Sequence, residues 1–174
     1  MLLMSYLNPL LAYGPAAFVS DAKTAGADGV IIPDLPVEEA AEWAAVCHTH
    51  NLAQVLFLAP TSDMARIAAV AAQASGFIYL VSVTGVTGAR TDLPADLASF
   101  INRVRTQAGG VPLVLGFGIS TPAHVRQIEQ LTDGFIVGSA LIKAAQGGVA
   151  GASVQQRRQR LRMNSPWFRY PLSP

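Results

Sequence analysis

Short apolar runs rich in Val, Ile, Leu and Phe recur along the chain at intervals of about 22 to 35 residues. They are Gly29–Pro33, Gln54–Ala59, Phe77–Val83, Pro112–Phe117 and Phe135–Val137, and Met1–Leu7 reads as the remnant of another. Runs of this length, uninterrupted by polar residues, are expected of strands buried on both faces. Between them lie Ala-rich segments with helical spacing, over Pro15–Ala25, Val37–His50, Asp63–Ala74, Pro94–Ala108, Pro122–Leu131 and Ser139–Gln146. Several of their ends carry a mechanism. Pro36 is followed by Glu38 and Glu39, acids that favour the dipole of a first turn. Ser62 is placed to cap the helix beginning at Asp63, and Ser120 or Thr121 precedes Pro122 as cap before proline. Gly26, Gly76 and the Gly109-Gly110 pair stand where helices should stop.

Strand and helix in alternation mean parallel βαβ units. Strands this short and regular suit a closed (β/α) barrel better than a doubly wound sheet. The fold class is therefore α/β, in the (β/α)8 TIM-barrel family, and incomplete: about six of the eight βα units of a full barrel are present. The chain's 174 residues divide into a partial barrel domain over 1–146 and an Arg/Pro/Ser tail over 147–174, expected to be disordered.

Composition narrows the field. Hydrophobic residues make up 51% and charged ones 13%, which excludes a disordered chain for the main body. One cysteine, Cys47, excludes a disulfide framework and any multi-cysteine zinc site. A net charge of +1 gives no overall pull towards nucleic acid or membrane. The charge is uneven, because residues 1–156 carry seven basic and eleven acidic groups and residues 157–174 five arginines and no acid. The arginines and aromatics of that tail are read as a disordered end, not as a nucleic-acid surface. Ile67–Ala89 is a 23-residue stretch without charge. Its Gln73, Ser75, Gly76, Ser82, Thr84 and Gly85 mark it as a helix end followed by a buried strand, not a membrane span. The first basic residue is Lys23, so the amino end lacks the basic start of a secretory signal, and a cytoplasmic chain is expected.

Three glycine-containing turns fall at the C-terminal ends of strands: Thr84–Gly88, Gly116–Ser120 and Gly138–Ala140. Taken singly, each is better explained as a tight βα corner. Together, and last in chain order, they point to a phosphate held by backbone N–H groups at helix starts. Asp34, directly after the run GVIIP, is placed as an acid, a base, an interface residue or a local cap. Tyr79 either lines a pocket or packs between sheet and helices, and Tyr6 is in the same position. Cys47, His48 and His50 do not share a helix face, so no metal site is assigned to them.

Laid end to end, LMSYLNPLLAYG, AGADGVIIPDLPVEE, LFLAPTSDMARI, GFIYLVSVTGVTGAR, PLVLGFGIS and DGFIVGSALIK resemble the tryptophan synthase alpha chain family from about Leu2 to Lys143. The resemblance implies cleavage of indole-3-glycerol phosphate to indole and glyceraldehyde 3-phosphate, and passage of the indole to a beta chain in an alpha2-beta2 complex. It implies that Gly88, Gly118, Gly138 and Ser139 hold the phosphate. Tyr6, Tyr79 and Phe117 would match pocket positions, Thr87 a threonine of the mobile loop, and Asp34 an aspartate that communicates with the beta chain. No cofactor is implied for this chain.

A retro-aldol cleavage needs an acid for the indole ring carbon and a base for the glycerol hydroxyl, roles two carboxylates fill. The resemblance implies that both come from an LGIPFSDPxADGP-like stretch, which would lie upstream of Met1. No catalytic residue is therefore assigned within this chain, and the chain alone is expected to be inactive. Two rival readings stand beside this one: a non-catalytic phosphate-binding module that associates with a beta chain, and a different phosphate barrel. An open barrel exposes two sheet edges, so the isolated chain is also expected to be aggregation-prone or molten.

Overall fold

A computed structural model of the chain describes residues 1–82, 96–116, 119, 122–138 and 142. Its strands are β1 (Leu2–Met4), β2 (Gly29–Ile31), β3 (Ala53–Leu58), β4 (Ile78–Val81), β5 (Leu113–Gly116) and β6 (Gly134–Phe135). Its helices are α1 (Leu7–Tyr13), α2 (Pro15–Thr24), α3 (Ala40–Thr49), α4 (Met64–Gln73), α5 (Leu97–Gln107) and α6 (Pro122–Ile128). The strands form one parallel sheet in the order β1-β2-β3-β4-β5-β6. A doubly wound sheet would reverse its order partway along. This one never does, so it is an arc of a barrel, as expected from the run lengths.

Alternation along the strands gives the arc two different faces. Val30, Leu56, Leu58, Ile78, Leu80, Leu113 and Leu115 face outward and join Trp43, Ile67, Val70, Phe100, Ile101, Val104 and Ile128 of the helices in the larger core. Ile31, Val55 and Tyr79, with Phe57, Phe77, Val81 and Ile136, form a second, inward cluster made of residues on the strands or directly beside them. Tyr79 is thereby placed inside the barrel, not between sheet and helices. The helix stripes are ordinary: Leu97, Phe100, Ile101 and Val104 follow the spacing of one helical face, and all four are buried.

Local differences from the sequence expectations have local causes. Leu7–Tyr13 is helical, where only a strand remnant ending at Leu7 was expected. Pro9 does not prevent this, since it sits in the first turn, where N–H groups have no intrahelical partner. Helix α3 begins at Ala40, not Val37, because residues 37–39 form turns first. Asp63, not Ser62, caps α4: its carboxylate accepts from the Arg66 N–H at 2.8 Å, while the Ser62 hydroxyl accepts from the Ala59 N–H. Gly26 ends α2 with φ +86°, and the Ala27 N–H closes the helix by donating to the Ala22 carbonyl.

At the end of the sheet opposite the strand C-termini, Asp133 joins three elements. Its carboxylate accepts from the Leu113 N–H and from the Arg105 guanidinium, each at 2.7 Å, and Arg105 also donates to the Leu131 carbonyl. Burial alone would push the Asp133 carboxyl up, towards the neutral acid. The Leu113 N–H and the Arg105 charge outweigh it and hold the carboxyl below the usual range. Among the described residues, no helix is long and apolar enough to cross a membrane.

Candidate functional site

Because every strand runs the same way, the C-terminal ends of all six share one rim, where barrels carry their chemistry. The inward cluster includes Phe57, Tyr79, Val81 and Ile136, on or just after strands that end at that rim. Tyr79 is the best defined of these side chains. It pairs with Val114 across the β4–β5 ladder, while Val81 pairs with Gly116. Its ring leans along β5 to cover Gly116. A Cβ built on Gly116 would stand 2.0 Å from the phenolic oxygen and 2.3 Å from Cζ. Glycine is required there to give room to the phenol, so Gly116 need not be part of a phosphate turn. On the other side the Phe57 ring packs on Tyr79 at 4.8 Å between centroids, tilted by 35°. The result is a tilted aromatic pair that forms a wall. Burial pushes the Tyr79 hydroxyl up, so it stays a neutral phenol that can donate a hydrogen bond.

Tyr6 and Asp34 meet at the same rim. Tyr6 follows β1, is 67% exposed, and holds the N-cap position of α1 with extended backbone angles. Its side chain makes no cap bond. The Asp34 carboxylate, from the β2–α3 loop, accepts from the Leu7 N–H at 2.8 Å instead. Asp34 is thus a cap, but of a helix 27 residues earlier in the chain and not of its own turn.

Gly138 lies exposed past β6, with open space where a side chain would be. Its carbonyl accepts from the Ile142 N–H at 3.0 Å, the bond of a first helical turn. Thr87, Gly88, Phe117, Gly118 and Ser139 lie outside the described residues.

Of the wall residues, Phe57 was absent from the expected site, and Gly116 was expected there only as part of a phosphate turn. Both had a signal in the sequence: Phe57 alternates with Val55 inside a strand, and a glycine within an apolar run marks a close approach. Away from the rim, Cys47 of α3 is buried and its thiol is pushed up to about 11 by that burial. His48 is exposed, and His50 Nδ1 lies within hydrogen-bond distance of Thr49 Oγ1 and the Val46 carbonyl.

Comparison with known proteins agrees with this arrangement. The family model described as tryptophan synthase alpha chain matches residues 1–166, further than the stretch ending at Lys143. The tryptophan synthase alpha chain of Chloroflexus aggregans is 54% identical over 142 residues, which is 82% of this chain and 53% of the relative. That of Geobacter sulfurreducens is 50% identical over 143 residues, with 82% and 54% covered. Among solved structures, a Mycobacterium tuberculosis tryptophan synthase superposes with a TM-score of 0.76 at 39% identity, covering 84% of this chain and 56% of that one. A Pyrococcus furiosus structure, described as the tryptophan synthase a2b2 complex, superposes with a TM-score of 0.79 at 30% identity, covering 92% and 64%. This chain spans about half the length of the curated relatives it matches. With the single-wound arc, the aromatic wall and a family match over nearly the whole sequence in agreement, the chain belongs to the tryptophan synthase alpha chain family.

Proposed function

We propose that this chain is the substrate-holding part of a lyase that cleaves indole-3-glycerol phosphate to indole and glyceraldehyde 3-phosphate in tryptophan biosynthesis. The observation that carries the reading is the Tyr79–Phe57 wall over Gly116, set at the strand C-termini of a chain of this family. A planar indole ring stacks on such a wall with an offset of the kind aromatic pairs prefer. The glycerol phosphate then extends towards the last strands. There Gly88, Gly118, Gly138 and Ser139 are proposed to hold the phosphate through backbone N–H groups and one hydroxyl. Tyr6, Phe117 and Thr87 are proposed to complete the pocket and its covering loop.

The chemistry itself needs an acid and a base in fixed positions. Asp34 is not assigned either role: its carboxylate caps α1 by accepting from the Leu7 N–H at the rim. We place both groups in βα units that these 174 residues do not contain, so this polypeptide on its own is proposed to bind substrate without cleaving it. The partner is proposed to be a tryptophan synthase beta chain, in an alpha2-beta2 assembly in the cytoplasm, seated on the rim that carries Asp34.

Titration calorimetry with indole-3-glycerol phosphate, run beside an assay for released indole, tests the reading. Binding without indole release is expected. Rapid indole formation would assign acid and base to this chain, and no binding by the chain, alone or with a beta chain, would remove the pocket assignment.

A further inference from the structure

Helix α1 is held to α2 at its C-terminal end, where the Tyr13 hydroxyl donates to the Asp21 carboxylate at 2.7 Å and the Tyr13 ring meets Phe18 edge-on, and Leu7 packs partly against the core. The helix has seven residues, and Leu10 is its one buried side chain. Leu11 and Tyr13 are exposed. An isolated helix of this length is not stable in water, so its position depends on what anchors its ends. At the C-terminal end the Gly14 N–H donates to the Leu10 and Leu11 carbonyls, which are bonds within the segment itself. At the N-terminal end the natural cap position is taken by Tyr6, whose side chain caps nothing. The missing acceptor comes from Asp34, through its 2.8 Å bond from the Leu7 N–H. That bond ties the loop after β2 to the loop after β1 at the residue next to Tyr6.

We propose that Asp34 is a positioning residue for Tyr6: by capping α1 from the neighbouring βα loop, it fixes where the Tyr6 ring stands at the mouth of the pocket. This rests on the pocket reading above, in which Tyr6 touches substrate. The role belongs to the acceptor oxygen and not to the charge. Asparagine, as good an N-cap as aspartate, should therefore keep it, and alanine should not.

The test compares Asp34→Asn, Asp34→Ala, Tyr6→Ala and the Asp34→Ala/Tyr6→Ala pair in the full chain, by hydrogen exchange over residues 6–13 and by indole-3-glycerol phosphate affinity. Exchange over that segment should accelerate in Asp34→Ala and stay near wild type in Asp34→Asn. Affinity should fall roughly fivefold in Asp34→Ala, the size of a lost cap, and be kept by Asp34→Asn. Adding Asp34→Ala to Tyr6→Ala should cost nothing more. Equal loss in Asp34→Asn and Asp34→Ala would show a charge contact and overturn the proposal, as would wild-type exchange already unprotected over this segment. Should the wild type bind no substrate, the pocket reading falls, and the exchange comparison still decides whether Asp34 holds the segment.

Discussion

At the scale of single residues, two side chains set sharp expectations. Gly116 lies under the Tyr79 ring, which is buried and cannot swing away. Gly116→Ala should therefore destabilise by about 1–3 kcal/mol through overpacking. Tyr79→Phe should not relieve it, because the ring carbon Cζ is nearly as close as the hydroxyl. Tyr79→Ala should: the double variant is expected to be more stable than the sum of the single effects predicts, as read by urea denaturation of all four proteins. Gln54 sets the second expectation. It is 1% exposed on the outward face of β3, and neither its amide nitrogen nor its amide oxygen has a hydrogen-bond partner. Its backbone is satisfied by Ser75 on both sides. Gln54→Leu leaves those backbone bonds in place and removes two buried orphan groups, so it should raise stability by about 1–3 kcal/mol and shift the thermal midpoint upward.

At the scale of elements, the Asp133 junction gives a pH dependence with a definite sign. The carboxyl is held below its unfolded value by the Leu113 N–H and Arg105. Its contribution is therefore complete above the unfolded carboxylate range, near pH 4, and is lost as pH falls through the lower folded value. The side chain is 46% exposed, so solvent screening keeps the effect to roughly 1 kcal/mol or less. Denaturation midpoints measured across the acid range should show a shallower acid loss in Asp133→Asn than in the wild type. Elements also show what was legible in the sequence. The buried strands β2 to β5 were readable because a strand covered on both faces is a continuous apolar run, and α5 because its stripe is strongly periodic. Helix α1 was not. Its stop signals, Asn8-Pro9 and Gly14, sit inside or at the end of one short apolar segment, and its cap comes from Asp34, far along the chain. Likewise Tyr79 was visible as a candidate, but which face it served depended on strand register, which no single strand reveals.

At the scale of the whole molecule, the inward cluster draws no residue from a described helix, and among the described residues the arc runs from β1 to β6. Leu2 and Met4 stand in register with Gly29 and Ile31 and are 39% and 57% exposed. Open edges of this kind recruit other strands. The isolated chain is expected to self-associate or to unfold without a sharp transition, measured by light scattering and by the width of the denaturant transition. Cys47 supplies an internal probe. Buried and with its thiol pushed up to about 11, it should be inert to thiol reagents at neutral pH wherever α3 is packed. Labelling at a rate close to that of the denatured chain would show that the helical layer is not packed.

The order of the strands in the sheet is also the order of their synthesis. Each strand hydrogen-bonds to the one that left the ribosome just before it, and none has to wait for a distant segment to arrive. The arc can thus be assembled during translation one βα unit at a time, each finished edge serving as the template for the next. Loop-closure costs stay local at every step, which keeps the contacts formed early close in sequence. A sheet laid down this way has no central strand on which its topology depends. The register of each ladder, and the Tyr79–Gly116 contact with it, is settled between strands that are neighbours in the sequence.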